Sequence, residues 1–544
     1  MSRYLGIGLL LVACAAALTY EAKHAGLTQD EPSHFAAAYM YWLGEDVLEP
    51  SDAPPLTRAI SGWVPVILHA PNPRETKYWE KRDAYMVGSE ILSRPNTRAR
   101  RLLFYTRLPF AIFPRLIVFL TWHWARQLFG EPIALALAFC SALEPTILGH
   151  GAIINSDVPA AFAALWFAYA VWKYWRNPSV LRIFIVTLAI LIAILTKFTL
   201  LPLALVGYAL ALWKGPRLVA AVSIPVILYV GILAASQFQA QPIPPAELSS
   251  FGPAGVPHWA LPAVNLAARL PWPLQFVRGL LYIGGRMQSE GWTGYMLGHK
   301  IDGLTPAYFP FAWALKFPIP LQALTVAGLI ALLARIRRRQ TSAADKLIWL
   351  PPAFFFGTAM LSNYHMGFRH VLPALPFLIL GGGFEMERWG RGHAGRAAIA
   401  LCLAWLAVSS LRFYPHGISY FDEWIGSPSN AWKYLADSNV DWGQDWPDVA
   451  EYAKRNRIQT INTFILGFDS PWHYIKEGVS PQPWPSQSSP AGYHFQPQPG
   501  VYAVGANLLS GLAYPVGYED YLDFFQRRVP DGQAGYSVLI YNVQ

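Results

Sequence analysis

Charge is scarce in this chain. Only 14% of its 544 residues are Asp, Glu, Lys or Arg, against roughly 25% in an average soluble protein. Hydrophobic residues reach 54% and the mean hydropathy is +0.27. That balance excludes intrinsic disorder, a collagen-like chain and a coiled coil. Cysteine is nearly absent. Cys14, Cys140 and Cys402 are the three, each in an apolar run and without metal-ligand spacing. They read as small core residues, with no disulfide framework. No internal repeat is visible.

What the chain has instead is aromatic weight and long apolar runs. It holds 22 Trp, 27 Tyr and 30 Phe. A polytopic helical membrane protein is expected. The net charge is +9. In such a chain Lys and Arg are topology signals before they are a nucleic-acid footprint, and no nucleic-acid partner is expected.

Apolar runs of about 17–25 residues mark candidate spans. They fall near 4–20, 102–128, 131–149, 157–175, 181–196, 198–213, 217–236, 307–334, 347–362, 370–386 and 395–412. The expectation is therefore about eleven transmembrane helices. The first follows Arg3 and reads as a retained helix rather than a cleaved signal peptide, because many further spans follow. With the N-terminus inside, the short inner connections carry Arg126, Lys173, Arg176, Arg182, Lys214 and Arg217. Arg335, Arg337, Arg338, Arg339, Arg388, Arg391 and Arg396 land there too. The positive-inside rule is obeyed at each such turn. The C-terminus then lies outside.

Three large pieces face outward: 21–101, 237–306 and 413–544. The middle one opens with a Pro- and Gly-rich stretch, Gln239 to Pro257, that reads as loop. In the last, composition shifts. Helical stretches are expected at Asn430–Ala436 and Asp448–Asn456, and strands at Thr460–Leu466, Val501–Val504 and Tyr536–Val543. A Pro/Ser/Gln-rich loop, Pro481–Pro499, interrupts it. Residues 1–412 are expected to form the membrane domain and 413–544 a soluble α/β domain.

The chemistry-bearing groups collect on the outer face. Thr28-Gln29-Asp30-Glu31-Pro32-Ser33-His34 follows the first span. Adjacent carboxylates can supply a base or a metal ligand. They also suit a helix start, with Asp30 as cap and Glu31 and Pro32 in the first turn. Asp52-Ala53-Pro54-Pro55-Leu56 is a rigid turn, and Arg58 behind it is either a phosphate ligand or a solvated charge. Gly149-His150-Gly151 leads to Asn155-Ser156-Asp157, where Asp157 again opens a span as cap or as a second site carboxylate.

Lys197 stands at the outer turn between the fifth and sixth spans, where snorkelling is the alternative to a site. Lys316 lies within an apolar run, where a cation needs a partner or water. Tyr364-His365-Met366-Gly367-Phe368-Arg369-His370 places Arg369 to clamp a phosphate. His365 and His370 alone are a weak zinc signal. A transporter would place such groups near the midplane on interrupted, repeat-related helices. Their collection at one interface favours chemistry there.

In this order the motifs resemble the lipid-carrier-dependent glycosyltransferases of the GT-C fold, the group of protein O-mannosyltransferases and lipid A aminoarabinose transferases. The likeness to the bacterial subgroup runs along nearly the whole chain. It includes Asp30-Glu31-Pro32-Ser33-His34, the Pro-Pro-Leu turn and His150-Gly151 with Asp157. It continues through Thr196-Lys197-Phe198, Lys316-Phe317-Pro318 and Gly367-Phe368-Arg369-His370, to Asp437-Ser438-Asn439-Val440-Asp441-Trp442-Gly443-Gln444-Asp445. One departure stands out: a His is expected before the Pro-Pro-Leu turn, and Ala53 occupies that place.

The resemblance implies transfer of a sugar from a polyprenyl-phosphate donor to an acceptor hydroxyl outside the cytoplasmic (inner) membrane, with inversion. It implies Asp30 as general base, with Asp157 as a further catalytic carboxylate and Glu31 either sharing that role or holding the loop. His34, Arg58, Lys197, Lys316, Arg369 and His370 are implied for substrate binding. No cofactor is required on this reading, although Asp30 and Asp157 could share a divalent ion. The Asp437–Asp445 segment either binds sugar or calcium, with Trp442 and the following Trp446 stacking on a glycan, or is a packed loop joining two elements. Two rivals remain: a flippase of lipid-linked sugars, and a non-catalytic assembly subunit.

Overall fold

A computed structural model describes residues 2–45, 53–93, 97–244, 261–288, 293–485 and 492–544. Asp52, residues 245–257 of the Pro- and Gly-rich stretch, and residues 486–491 of the Pro/Ser/Gln-rich loop lie outside the described residues.

The chain is mostly helical. Five helices are long and apolar enough to cross a membrane: Tyr4–His24, Arg98–Phe129, Arg217–Ala235, Ile319–Arg337 and His393–Phe413. Glu131–Leu143 and Pro145–Gly151, bent by 55°, make a sixth if they are one span. Helices also occupy the other expected runs, at Asp157–Arg176, Val180–Thr196, Leu201–Trp213, Ala343–Met360 and Leu375–Trp389. Large apolar side chains point outward from the apolar helices, among them Leu205, Trp213, Leu218, Leu401 and Val408. Water would not tolerate so wide an apolar surface, and lipid does. The chain is a multi-pass membrane protein.

Three expected spans prove to be interrupted, each beside a proline. The run 307–334 is split into Tyr308–Lys316 and Ile319–Arg337 at Phe317-Pro318. Phe317, before the proline, is forced into an extended backbone at φ −96°, ψ 128°. Lys316 is thus the end of a short helix and not mid-span. The run 131–149 bends in the same way at Glu144-Pro145. The run 102–128 stays one candidate span but turns at Leu108-Pro109, between Thr97–Arg107 and Ile112–Phe129.

The principal core joins helices from both halves of the membrane region, with Trp122, Trp124, Leu165, Tyr308, Phe309 and Phe377 deeply buried. Of the three large pieces between and after the apolar runs, the first is helical: Glu31–Trp42 packs on Ala84–Leu92 and on Pro55–Ser61. In the second, Leu261–Ala267 and Leu274–Gln288 are helical, and Gly294–Met296 and His299–Ile301 form a hairpin.

The C-terminal region holds a mixed five-stranded sheet. Its order is Val479–Pro481, Ile461–Phe464, Gly500–Gly505, Val538–Val543, Gly532–Ala534. The first two pairings are parallel and the last two antiparallel. The three expected strands are present, shortened at Thr460–Leu466 and Tyr536–Val543 and lengthened at Val501–Val504. The two edge strands escaped the sequence, being three residues long with Pro or Gly in them. Helix Trp446–Arg455 matches expectation, whereas Asn430–Ala436 yields only Ala431–Tyr434.

Residues between the last apolar helix and the sheet fold back onto the helix ends. Lys316 Nζ donates to the carbonyls of Ile418 at 2.8 Å and Asn439 at 2.6 Å. Asn439 Oδ1 accepts the Phe368 N–H at 2.9 Å. The Asp437–Asp445 segment is thereby laid against the end of helix Tyr308–Lys316 and the start of Phe368–Ala374.

Candidate functional site

Two helices begin with an acid that does not cap them. Asp30 stands at the N-cap of Glu31–Trp42, yet its side chain makes no capping bond. Pro32 near the helix start removes one N–H that would need an acceptor. The Asp30 carboxylate turns outward instead. Its Oδ2 accepts from Arg369 Nη2 at 3.0 Å, and its Oδ1 lies 3.5 Å from the Tyr85 hydroxyl. Asp157 opens Asp157–Arg176, where Asn155 Oδ1 does the capping by accepting the Asp157 N–H at 2.8 Å. Its carboxylate pairs with Lys197 through Oδ1 and lies 3.4 Å from Arg369 Nη1 through Oδ2. Both acids stand at helix starts as expected, Asp30 at the N-cap and Asp157 in the first turn, but neither side chain makes a capping bond.

Arg369 is the hub. It follows Gly367 in a tight 3₁₀ segment, Phe368–Ala374. One face of its guanidinium lies 4.2 Å from the Trp442 ring, and its Nε donates to Ser438 Oγ at 3.1 Å. Trp442 thus supports an arginine, which is the packed-loop reading with a purpose. Trp446 belongs to the core beneath the sheet. The Trp442 segment is itself stitched to the Asp30 loop: Gly26 N–H reaches Gln444 O at 2.7 Å and Gln29 N–H reaches Trp442 O at 2.8 Å. Gly443 makes the turn at φ +87°, a backbone that a side chain rarely adopts. At Gly26 a Cβ would stand 2.9 Å from Asp469 Oδ2 and 3.0 Å from Gln444 O, so the close approach needs glycine.

Asp30 separates two cavities. The smaller, about 190 Å³, contains Lys197, Arg369, His34, Asp157 and His370, with Phe198, Phe309 and Phe355 on its walls. It joins two cations to an apolar lining. The larger, about 740 Å³, lies toward the C-terminal region and is lined by Tyr85, Asp437, Asp441, Trp442 and Asn507. Asp30 and Tyr364 line both. Burial pushes the Asp441 carboxyl up to about 7, against the pull of the Gly443 N–H, and the Asp437 carboxyl up to about 6, against the nearby Arg369.

Six of the nine residues singled out in the sequence meet in the smaller cavity: Asp30, His34, Asp157, Lys197, Arg369 and His370. Three do not. Glu31 is wholly buried behind the loop, paired with Arg107. Lys316 is spent on two backbone carbonyls, as above. Arg58 is buried, with Nη1 3.2 Å from Gln275 Oε1, and lines neither cavity. His365 and His370 do not converge: His365 packs on Tyr308, and His370 on Tyr364. Sequence reasoning missed Tyr364, Ser438 and Tyr85 as site residues. Tyr364 and Ser438 stand in motifs quoted above, and neutral polar groups there gave no electrostatic reason to single them out.

The sequence model of the family described as dolichyl-phosphate-mannose-protein mannosyltransferase matches residues 101–238. That stretch holds Asp157 and Lys197, and the match bears out the resemblance read from the motifs. No curated protein sequence matches the chain. Among solved structures, the chain is similar to ArnT from Cupriavidus metallidurans bound to undecaprenyl phosphate, at 13% identity and a TM-score of 0.45, over 98% of this chain and 97% of that one. It is also similar to the archaeal oligosaccharyltransferase AglB from Archaeoglobus fulgidus, in complex with an inhibitory peptide and a dolichol-phosphate. There the identity is 12% and the TM-score 0.44, over 100% of this chain and 75% of that one.

Proposed function

We propose that this chain is a membrane glycosyltransferase that moves a sugar from a polyprenyl-phosphate donor to an acceptor hydroxyl, with inversion. The observation that carries the reading is the position of Asp30 between a small, apolar-walled cavity that holds Lys197 and Arg369 and a wide one. The cavity with Lys197 and Arg369 suits a phosphate at the end of a hydrocarbon tail. The wide cavity suits the acceptor.

The step follows from the two oxygens of Asp30. Oδ2 is held by Arg369. Oδ1, on the Tyr85 side, accepts the acceptor hydroxyl proton. The acceptor oxygen attacks the anomeric carbon from the wide cavity. The bond from that carbon to the phosphate oxygen breaks on the opposite face, and its electron pair leaves with the phosphate. Lys197 and Arg369 stabilise the charge that develops there. Asp157 holds both cations in place, and His34 and His370 line the path of the sugar.

No metal enters this step. A divalent ion shared by Asp30 and Asp157 would have to displace the guanidinium that now bridges them. The membrane arrangement that completes the reading has eleven spans in the cytoplasmic (inner) membrane, the N-terminus inside and the C-terminal domain outside.

The test is release of free polyprenyl phosphate from a panel of synthetic polyprenyl-phosphate sugars, with membrane and cell-wall extract as acceptor. Wild-type protein is expected to release it, with or without EDTA, and Asp30→Asn is not. No release from any donor, in a mixture that supports a known transferase, would shift the reading to a flippase or an assembly subunit.

A further inference from the structure

Away from both cavities, three side chains from distant parts of the chain converge. His24 is the last residue of the first helix, Ser2–His24. His416 follows the last apolar helix, which ends at Phe413. Asp448 lies in the first turn of Trp446–Arg455, under the sheet. We infer that His24, His416 and Asp448 form a zinc-class metal site that fastens the C-terminal domain to the first and last membrane helices.

The geometry carries the inference. Zinc holds imidazole nitrogen at about 2.0–2.1 Å, so neighbouring ligand atoms at the corners of its tetrahedron stand about 3.3–3.4 Å apart. His24 Nε2 is 3.3 Å from Asp448 Oδ1, and His416 Nε2 is 3.5 Å from the same oxygen. All three ligand atoms fall within 4.8 Å of one another. Two imidazoles and a carboxylate are a donor set that suits zinc better than magnesium or calcium, which prefer oxygen.

The surroundings are those of a metal ligand set. His416 presents its other nitrogen, Nδ1, to Asp445 Oδ1 at 3.2 Å. Asp445 is fixed in turn, its Oδ2 accepting the N–H groups of Tyr536 and Ser537 at 2.9 Å each. A carboxylate behind the histidine sets the ring orientation and leaves Nε2 facing the ion. His24 stacks against Tyr20 at 5.8 Å. Asp448 Oδ2 is buried and, among the described residues, has no hydrogen-bond partner, so it remains available as a second ligand atom. His24 also borders a groove of about 680 Å³ through which an ion can enter and a water can complete the coordination. His24 and Asp448 are 424 residues apart, so an ion there closes a very long loop.

None of the three lines either Asp30 cavity, so the site is separable from the transfer reaction. The rival is a bare ion-pair cluster that holds no metal.

The experiment uses full-length protein purified in detergent without a histidine tag and stripped with a chelator. Zinc is added back, excess is removed, and bound metal is counted by mass spectrometry alongside the thermal midpoint. Wild type is expected to retain about one zinc per chain and to melt higher with it. His24→Ala and Asp448→Asn are each expected to bind at least about 10-fold more weakly, since loss of even an outer partner costs about 10–100-fold. His494→Ala, outside the cluster, is expected to bind like wild type. Should Asp448→Asn fail to fold, wild type and His24→Ala decide. No zinc retained by wild type, or equal retention by His24→Ala, would overturn the site.

Discussion

Asp30 and Glu31 are neighbours in sequence and opposites in the fold. Each is paired with an arginine. Around Glu31 every hydrogen-bonding position is taken. Its Oε1 accepts from Arg107 Nε at 2.7 Å and from the Ile154 N–H at 3.0 Å. Its Oε2 accepts from Arg107 Nη2 at 2.5 Å and from the Thr28 N–H at 3.0 Å. Arg107 spends its remaining hydrogens on the carbonyls of Ala22, Ala25 and Gly26. Both side chains are closed to solvent. Around Asp30 the pair is incomplete: one oxygen meets Arg369, and the other faces a cavity. A saturated ion pair is a fastener, because no group is left to act. An unsaturated one between two cavities is a tool. The difference is set by the partner's position. Arg107 ends a helix that packs behind the loop, whereas Arg369 stands on the cavity wall.

Exchanging the charge at each position separates the two roles. Asp30→Asn is expected to lower turnover by about 10²–10⁴-fold, the usual worth of a positioned base. Thermal stability should stay near wild type, because Asn keeps an acceptor for Arg369. Glu31→Gln is expected to do the reverse. It leaves Arg107 buried without its counter-charge, which costs about 3–5 kcal/mol. Initial-rate assays and thermal unfolding of the same two preparations check both. If Glu31→Gln melts like wild type while Asp30→Asn unfolds, the assignment is inverted.

A smaller effect tests the cation side of the cavity. Lys197→Met is expected to lower turnover by about 10²–10³-fold, the loss that follows removal of one preorganised donor from a developing charge. Lys197→Arg should recover part of it. A Met variant that keeps full turnover would move the phosphate away from Lys197.

The sequence made six cavity residues legible because charge is so sparse. In an apolar chain, an acid or cation at a helix boundary stands out, even when its partner is 339 residues away, as Arg369 is from Asp30. The same logic failed for Glu31. Its partner Arg107 sits in an apolar run and looks like any charge near a span end, so holding the loop stayed one of two readings for Glu31. Lys316 was misplaced for another reason. A run read by hydropathy alone passes over Phe317-Pro318, and the break is what lets the ammonium reach two carbonyls. The fold class was plain from the long apolar helices. The sheet's edge strands were not, since three-residue strands with proline or glycine carry no alternation to read.

Asp441 offers the finest distinction, because it is buried like Glu31 but held by amides and not by a cation. Its Oδ1 accepts the Gly443 N–H at 3.0 Å, and among the described residues no cation pairs with it. Burial raises its carboxyl to about 7, from about 3.9 in an unfolded chain. The sign follows. Between about pH 4 and 7 the folded chain keeps a proton that the unfolded chain has lost. Stability from this group is therefore complete below about pH 4 and falls as pH rises through 7, by up to about 1.4 kcal/mol per pH unit. Asp441→Asn removes that proton exchange and keeps an acceptor for Gly443. Thermal midpoints followed by tryptophan fluorescence from pH 4 to 8 should therefore show wild type losing ground to the variant as pH rises. Asp422, raised to about 7, bends both curves alike and cancels in the difference, whereas Asp437, raised to about 6, repels Asp441 when both are charged and adds to the wild-type slope. A difference that stays flat across the range would mean that Asp441 is ionised in the fold, held after all by a counter-charge.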